Sequence, residues 1–415
     1  MTETDSSDLA DSGFPSVRGC PFAEPAKYAQ LRERAPINKV RLVSGMDSWW
    51  ASAYEESRAI LADRRFSSDR NREGFPNANI DKVMKEKLRR QPQSMIGMDG
   101  AEHAAARKAV LGEFTARRMT ALRPRIQQLV DDHIDIMLAA DERPVDLVQA
   151  LSLPVPSLVI CELLGVPYAD RDFFQSRTTA LLRLPENSEA LAETSQARQR
   201  YFGELQGYFS ELIARKEAEP GDDLFSRVIA KQHEEGTVDY ASLVSMAILL
   251  VIAGHETTAN MISLGVAALL EHSQQLELIK ADPSKTPMAV DEVLRYFAIL
   301  AMTTSRVATE DVRIGGVTIK ENEGVVVSTL SANWDPTAFE NPSELNLERD
   351  ARHHLSFGYG PHRCIGENLA RLELQIVFDT LFSRIPNLRL AAPVSDISFK
   401  ADSIVYGAYD LPVTW

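Results

Sequence analysis

Apolar residues with the spacing of amphipathic α-helices recur along the whole chain, and this feature restricts its fold most. In two long stretches, Leu122 to Met137 and Leu369 to Leu381, apolar residues recur every three or four positions and share one helical face. Alternation with a period of two, typical of strands, is limited to residues 312–319 and 325–327. The sequence therefore predicts a mainly α fold with a small β region.

Nothing in the sequence marks a domain boundary. No internal repeat, low-complexity tract or Gly/Ser-rich linker interrupts the 415 residues, so we predict one domain over residues 1–415. The first residues, about 1–20, are acidic and lack the cationic start and apolar stretch of a secretory signal, which predicts a flexible tail. Segments 71–93 and 185–188 are rich in turn formers and charges and are candidate mobile loops.

Composition excludes several classes of partner. The chain carries 45 Lys and Arg against 59 Asp and Glu, a net charge of −14, and such a surface repels nucleic acid and anionic lipid. The longest apolar run, Met246 to Ala253, is far shorter than the ~20 residues that cross a bilayer. Cys20, Cys161 and Cys364 are too few and too dispersed for a disulfide framework or an all-cysteine metal site. We therefore expect no nucleic-acid partner, no membrane partner and a cytoplasmic location.

Cys364 lies between a glycine-rich turn and a helix predicted to begin near Glu367. A helix N-terminus stabilises an anion and lowers the pKa of a thiol, and flanking glycines let the backbone approach a bulky group. This pattern predicts a stable thiolate. A buried structural cysteine and a nucleophilic cysteine hydrolase remain open on these residues alone. A phosphate-binding loop is excluded because Arg363 stands where its third glycine is required.

The same segment resembles the Phe-x-x-Gly-x-His-x-Cys-x-Gly signature of the cytochrome P450 family. Five residues carry the resemblance: Phe357, Gly360, His362, Cys364 and Gly366. The resemblance implies a single-domain helical prism that binds haem b through this segment, with Cys364 as the axial ligand of the haem iron. The haem would lie between the cysteine loop and a long central helix.

A second resemblance lies in the most apolar helix, where Ala253-Gly-His-Glu-Thr-Thr258 places an acid beside a hydroxyl. Burying such groups is costly without a purpose. The segment resembles the family's Gly-x-Asp/Glu-Thr sequence on the distal haem face. It implies that Gly254 lets the backbone approach oxygen, that Thr257 hydrogen-bonds this oxygen, and that Glu256 relays protons. A zinc-protease motif is excluded because residue 259 is alanine, whereas a helix-capping role of the two threonines stays open.

Basic residues with helical spacing follow the Asp99-Gly100 turn. His103 and Arg107 are four residues apart and so share one helical face, a spacing that is also common on solvated surfaces. The family resemblance implies that both residues bind the haem propionates, together with Arg306 and His362.

Glu292 and Arg295 are three residues apart on a predicted helix and can pair. Most such pairs are exposed and contribute less than ~1 kcal/mol. Their order relative to Cys364 resembles the family's buried Glu-Arg pair, which a later arginine joins, and Arg349 is the candidate for that arginine.

The resemblance implies a monooxygenase that inserts one atom of O₂ into an apolar small molecule, with C–H hydroxylation as the expected reaction. Electrons would come from NAD(P)H through a ferredoxin reductase and a ferredoxin, and Lys108, Arg352, Arg363 and Arg371 are candidates for a basic docking face. A peroxide-driven peroxygenase and a non-catalytic haem-thiolate sensor are the alternatives. A peroxygenase has no need of a proton relay, so the Glu256-Thr257 pair argues against it. A sensor is expected to carry an output domain, and none is recognised in the 415 residues.

Aliphatic residues at the family's substrate-contacting positions predict an apolar pocket for a polyketide, terpenoid or steroid, although such residues are also typical of an ordinary core. They are Met84, Ile96, Leu181, Leu182, Ile299, Leu300, Ile404 and Val405.

Overall fold

The computed structural model describes residues 13–16, 18–76, 93–185, 190–300 and 304–415. Its helices are α1 (Ala26–Arg34), α2 (Tyr54–Ala62), α3 (Gly100–Leu111), α4 (Ala116–Ala139), α5 (Pro154–Leu164), α6 (Arg171–Leu182), α7 (Leu191–Ala218), α8 (Leu224–Glu235), α9 (Tyr240–Glu271), α10 (Ser273–Ala281), α11 (Thr286–Phe297), α12 (Thr329–Asn333) and α13 (Glu367–Arg384). Its strands are β1 (Ile37–Arg41), β2 (Asp47–Ala51), β3 (Phe66–Ser67), β4 (Val145–Asp146), β5 (Ser305–Ala308), β6 (Val312–Ile314), β7 (Val317–Ile319), β8 (Gly324–Val327), β9 (Arg389–Leu390) and β10 (Pro412–Thr414).

The two amphipathic stretches of the sequence form α4 and α13, as predicted. The apolar face of α4 is buried, including Ile126, Val130 and Ile134, and its N-terminus is capped by the Thr115 hydroxyl, which accepts a hydrogen bond from the Arg118 N–H. Helix α13 packs against α4, α9 and α11. The segment that follows the cysteine loop is therefore anchored in the centre of the helical core.

The β structure is small, and strands β6, β7 and β8 lie where the sequence pattern predicts them, whereas the pattern missed the other strands. Five strands form one sheet in the order β1-β2-β8-β5-β3, in which β2 and β8 are parallel and the other neighbours antiparallel. Strands β6 and β7 form a hairpin whose turn residues, Gly315 and Gly316, have φ angles of 54° and 81°. A two-residue turn with both φ values positive favours glycine at both positions. The remaining sheet has the order β4-β10-β9.

Helix α9, with 32 residues, runs through the interior and contacts α5, α7 and α13. The Asp239 carboxylate caps its N-terminus by accepting a hydrogen bond from the Ser242 N–H at 3.1 Å. Among the described helices it is the one whose length and hydropathy would suffice to cross a membrane, although its uninterrupted apolar run is short. Because 56% of its most apolar 18-residue stretch lies inside the protein, these contacts are those of a core helix.

The prediction of a flexible tail through residue 20 is wrong for the described residues from 13 onward. Phe14 is fully buried, with its ring centroid 5.0 Å from that of Trp50. The Arg18 guanidinium is buried and donates a hydrogen bond to the Phe297 carbonyl at 2.7 Å. Burial of apolar area therefore fixes this segment despite its acidic neighbours. The predicted loops lie largely outside the described residues, at 77–92 and 186–189.

Candidate active site

The cysteine loop is shaped by glycines in left-handed conformation. Gly358 and Gly360 have φ angles of +69° and +70°, and residues Gly360–His362 form a single 3₁₀ turn. A Cβ on Gly360 would lie 2.6 Å from the Leu61 carbonyl oxygen, so the loop can pack on the end of α2 only with glycine here. The Cys364 N–H then donates a hydrogen bond to the Phe357 carbonyl at 2.8 Å, which fixes the cysteine just before α13.

The Cys364 thiol is exposed, yet the dense protein around it desolvates the sulfur. This desolvation raises the pKa of the thiol, and the nearby Gly366 N–H and Arg107 guanidinium offset it only in part. The Gly366 N–H at the start of α13 thus lowers the pKa as predicted for a helix N-terminus, but desolvation outweighs it, so the predicted net lowering is not found in the protein alone. A bound metal ion would favour the thiolate.

The predicted propionate partners from two segments lie side by side. The rings of His103 in α3 and His362 in the cysteine loop stack with centroids 4.0 Å apart. His362 Nε2 lies 3.8 Å from Asp99 Oδ1, an ion-pair distance rather than a hydrogen bond. Burial, with the nearby His362 and Arg107, lowers the pKa of His103 to about 4, so its imidazole is neutral at pH 7.

Arg306 in β5 is 6% exposed, and its Nη1 donates to the Ser305 carbonyl at 2.8 Å. Burial lowers the pKa of Arg306 to about 10. Within the described ranges no carboxylate lies at ion-pair distance from Arg306 or from Arg107. A buried guanidinium without an acidic partner is costly and fits an anionic group. The donor set of thiol, two arginines and two histidines therefore fits an iron porphyrin with two propionates.

Two further residues of the cysteine segment flank the thiol. The Phe357 ring is half-buried, and the Arg371 guanidinium lies over it, 4.7 Å from the ring centroid. A Cβ on Gly366 would lie 3.9 Å from Cys364 Sγ, with no other atom within 4 Å. This is an ordinary van der Waals distance, so a side chain at position 366 would adjoin the sulfur without displacing it.

Gly254 in α9 has a packing role that its motif did not predict. A Cβ at this position would lie 2.7 Å from Ile160 Cδ1 and 2.8 Å from Ile160 Cγ1. The missing side chain therefore favours the close contact between α9 and α5. The predicted role of Gly254 in the approach of oxygen stays a prediction.

Thr257 and Glu256 lie next to each other on α9 but in different surroundings. The Thr257 hydroxyl donates to the Ala253 carbonyl one turn earlier at 2.7 Å, and the side chain is only partly buried. Glu256 is 4% exposed, and its carboxylate accepts a hydrogen bond from the Thr179 hydroxyl at 2.7 Å. Lys400 Nζ forms an ion pair with the same carboxylate at 3.2 Å. The structure thus places Thr257 on an accessible face and Glu256 within a polar network.

Sequence reasoning missed Thr179, Asn260 and Lys400 as partners of Glu256. Asn260 follows Glu256 by one helical turn, and its Nδ2 donates to Glu256 Oε2 at 3.3 Å. Because residues four apart on a helix are neighbours, this i, i+4 spacing could have predicted the contact between Glu256 and Asn260. Lys400 lies 144 residues away in the sequence, so no local pattern connects it to Glu256.

The structure brings Glu292, Arg295 and Arg349 together in a buried network. Arg295 Nε donates to Glu292 Oε2 at 2.7 Å, both side chains are 0% exposed, and Arg349 Nε lies 3.2 Å from Glu292 Oε1. Arg295 also donates to backbone carbonyls of Asn333 and Pro342, both at 2.9 Å. The network therefore connects α11 to the long segment that leads to the cysteine loop.

An apolar cavity of about 330 Å³ lies between the N-terminal segment, the residues after α11 and the C-terminal segment. Of the predicted pocket residues, Ile299 and Leu300 line it. The Ile404 N–H donates a hydrogen bond to the Leu182 carbonyl, and Val405 pairs with Leu300. These pairings bring Leu182, Ile404 and Val405 near the cavity, but these three residues do not line it. Leu181 and Ile96 are half-buried and do not line it either, and Met84 lies outside the described residues.

A cysteine loop beside a cluster of anion-binding donors, in a helical fold with a long central helix, defines the site of a haem-thiolate oxidoreductase. The sequence matches the cytochrome P450 family over residues 68–281 and 285–386. It is 47% identical to pentalenic acid synthase of Streptomyces avermitilis over 415 residues, all of both chains.

Solved structures of cytochrome P450 enzymes have the same fold as this chain. The chain superposes on cytochrome P450 MoxA from Nonomuraea recticatena with a TM-score of 0.88 and 64% identity, covering 97% of this chain and 98% of that one. It superposes on the mycinamicin VIII C21 methyl hydroxylase MycCI from Micromonospora griseorubida with a TM-score of 0.88 and 36% identity, over 97% and 99% of the two chains. The chain belongs to the cytochrome P450 family and is a bacterial haem-dependent monooxygenase.

Proposed function

We propose that the protein hydroxylates a sizeable apolar small molecule, such as a polyketide, terpenoid or steroid, in the cytoplasm. The observation that carries this proposal is the accessible Cys364 thiol beside Arg107, Arg306, His103 and His362. The printed name of one relative supports the reaction type, since MycCI is a mycinamicin VIII C21 methyl hydroxylase. The substrate class rests on the family resemblance and on the aliphatic residues at the predicted pocket positions, of which Ile299 and Leu300 line the cavity.

Different residues would bind the iron and the propionates of the haem. Cys364 would bind the haem iron, while Arg107 and Arg306 would pair with the propionates and His103 and His362 would hydrogen-bond them. Bound haem supplies oxygen activation at its iron, which a cysteine thiolate ligand favours. The propionates would then provide the acidic partners that the buried Arg306 requires.

Two residues of α9, Thr257 and Glu256, would transfer protons from solvent to the site. The Thr257 hydroxyl is partly exposed and can exchange its bond to the Ala253 carbonyl for one to oxygen or water. Glu256 holds a carboxylate on the neighbouring position and can take a proton from solvent water and pass it on. This acid and alcohol pair is the feature that favours O₂ over peroxide as the oxidant.

Electrons would come from NAD(P)H through a ferredoxin reductase and a ferredoxin. The predicted docking arginines are less available than expected: Arg371 pairs with Asp291 at 2.8 Å, Arg363 with Glu367 at 2.7 Å and Arg352 with Asp350 at 2.7 Å. Lys108 is exposed and has no acidic partner within the ranges that the structure describes. We therefore place the centre of the docking face near Lys108, at the C-terminal end of α3.

The test is turnover under two oxidants. Candidate substrates are screened for a spin-state shift of the haem band, and the best binder is incubated with ferredoxin, reductase and NAD(P)H under ¹⁸O₂, or with hydrogen peroxide alone. We expect hydroxylated product that carries one ¹⁸O atom and depends on the electron donors. Product formed only with peroxide would contradict the proposal and favour a peroxygenase.

A further inference from the structure

The guanidinium of Arg18 is buried and held in place, but its charge is not paired. The residue is 7% exposed, and it donates hydrogen bonds to the carbonyls of Phe297 at 2.7 Å and Pro21 at 2.6 Å. Arg18 Nε is buried and has no hydrogen-bond partner among the residues that the structure describes. In the same ranges no carboxylate lies at ion-pair distance from this arginine. A buried charge without a counter-charge is costly, so Arg18 fits an anion.

The titratable groups near Arg18 do not supply that anion. Burial lowers the pKa of Arg18 to about 10, which leaves the guanidinium charged at pH 7. Burial raises the pKa of Tyr296 and of Tyr406 to about 12, so both phenols are neutral. Glu24, whose carboxylate Arg18 also attracts, already forms an ion pair with Arg32 at 2.7 Å. The described residues around Arg18 therefore leave its positive charge unbalanced.

Tyr406 supplies a second buried donor beside Arg18. The guanidinium lies over its ring, with Arg18 Cζ 4.9 Å from the ring centroid. The Tyr406 hydroxyl is buried and has no hydrogen-bond partner in the described part of the chain. The Tyr406 N–H donates to the Ile299 carbonyl at 2.9 Å, which fixes the tyrosine beside the residues that follow α11. Two buried donors, Arg18 Nε and the Tyr406 hydroxyl, thus belong to adjoining residues and lack acceptors.

Both of these residues line the cavity of about 330 Å³ described above. The two other charged residues of its lining are already paired, Lys400 with Glu256 at 3.2 Å and Asp402 with Arg183 at 3.3 Å. Much of the remaining wall is aliphatic and includes Val43, Leu184, Ile299, Leu300 and Leu330. The cavity therefore combines an apolar wall with one uncompensated positive charge.

We infer that this cavity binds an apolar molecule through a single carboxylate group, which accepts hydrogen bonds from Arg18 and Tyr406. A carboxylate accepts several hydrogen bonds, and an arginine keeps further N–H groups after two have bonded backbone carbonyls. The negative charge of the carboxylate balances Arg18. A neutral molecule would leave the guanidinium without a counter-charge, so the site should prefer an acid to its ester.

The identity of this acid as the substrate rests on the proposed function. Ile299 and Leu300 stand at predicted substrate-contacting positions, and both line the cavity that contains Arg18. An acid anchored at Arg18 would thus lay its apolar body against the predicted substrate contacts. The substrate class narrows from any apolar molecule to an apolar carboxylic acid.

The first test compares acids with their methyl esters by isothermal titration calorimetry of the ferric holoenzyme. The probes are decanoic acid, adamantane-1-carboxylic acid and lithocholic acid, each beside its ester. We expect at least one acid to bind about tenfold more tightly than its ester, as is typical of hydrogen bonds to charged groups. In Arg18→Met this preference should disappear, while the affinity for the ester stays as in the parent. Acids that bind no more tightly than their esters, or a preference that survives in Arg18→Met, would overturn the inference.

Arg143→Met is the matched control for this titration. Arg143 also lies over an aromatic ring, that of Trp415 at 3.7 Å, and donates to a backbone carbonyl. It is exposed and does not line the cavity, so the preference for the acid should persist in this variant.

The second variant, Tyr406→Phe, keeps the inference testable if Arg18→Met does not fold. It keeps the ring next to Arg18 and removes only a hydroxyl that bonds no described residue, so we expect it to fold like the parent. The affinity for the acid should fall several-fold, and that for the ester should not change. An unchanged ratio of the two affinities would count against the carboxylate site.

Product analysis separates this inference from the proposed function. The preferred acid and its ester are each incubated with ferredoxin, reductase and NAD(P)H. Hydroxylation of the acid would support the inference that it is the substrate. Acid binding that depends on Arg18 but gives no hydroxylated product would uphold the carboxylate site and contradict the proposed function for this acid. Hydroxylation of the ester without any preference for the acid would overturn the inference and leave the proposed function intact.

Discussion

Replacing Arg295 by leucine should destabilise the protein far more than removing an ordinary surface arginine. The side chain donates to both Glu292 oxygens, at 2.7 and 2.9 Å, and to the carbonyls of Asn333, Pro342 and Glu344 at 2.9, 2.9 and 3.3 Å. Leucine satisfies none of these acceptors and leaves a fully buried carboxylate short of its main counter-charge. Removing one partner of a buried ion pair costs about 3–5 kcal/mol.

The remaining partners of Glu292 decide where in this range the loss falls. Arg349 Nε and the Asn346 N–H stay within 3.2 and 3.0 Å of Glu292 Oε1, so we expect a value near the lower end, about 3 kcal/mol. The assay is urea denaturation of the holoprotein, followed by circular dichroism and by the haem band. Arg65→Leu is the control, because the Arg65–Asp63 pair is exposed and its loss should leave the midpoint unchanged. A loss below ~1 kcal/mol for Arg295→Leu would show that the network contributes no more than a surface pair and would refute the reasoning.

Three further predictions concern the site. Gly254→Ala should lower the free energy of unfolding by about 1–3 kcal/mol through the clash with Ile160. Ile160→Ala should lower this free energy less in the Gly254→Ala background than in the parent, and equal losses in denaturation experiments would place the glycine outside the α9–α5 contact. Thr257→Ala should keep haem binding but release more hydrogen peroxide per NAD(P)H consumed, whereas Thr258→Ala, whose hydroxyl faces the Gly254 carbonyl at 3.4 Å, should couple like the parent. Lys108→Glu should raise the ferredoxin concentration needed for half-maximal rate most strongly at low salt, with Lys320→Glu as the control, and an effect independent of ionic strength would argue against docking at α3.

Sequence patterns predicted the local structure well because periodicity is a local property. The apolar faces of α4 and α13, the β6–β7 hairpin and the strand β8 all lie where the spacing indicates. Acidic composition misled at the N-terminus, because Phe14 is held by a tertiary contact with Trp50 that composition does not encode.

Sequence motifs brought together residues that the structure places near one another, such as His103 and His362, but they did not show the electrostatics of the site. Motif resemblance identified Cys364, but the sign of its pKa shift depends on how much protein surrounds the thiol, which spacing does not reveal. The role of Gly254 depends on Ile160 in another helix, and the state of Glu256 depends on Lys400 in the C-terminal segment. Such long-range neighbours are set by the folded chain, and a single sequence does not show them.

The measurement that tests the central claim most directly is the absorption spectrum of the reduced, CO-bound holoprotein. The account predicts the long-wavelength band that is typical of thiolate-ligated haem, its retention in Cys20→Ser, which removes another exposed cysteine, and its loss in Cys364→Ser. A serine hydroxyl is neither anionic at neutral pH nor a strong donor to iron, so it cannot replace the thiolate. Retention of the band in Cys364→Ser would contradict the assignment of Cys364 as the haem ligand, and with it the proposed chemistry of the site.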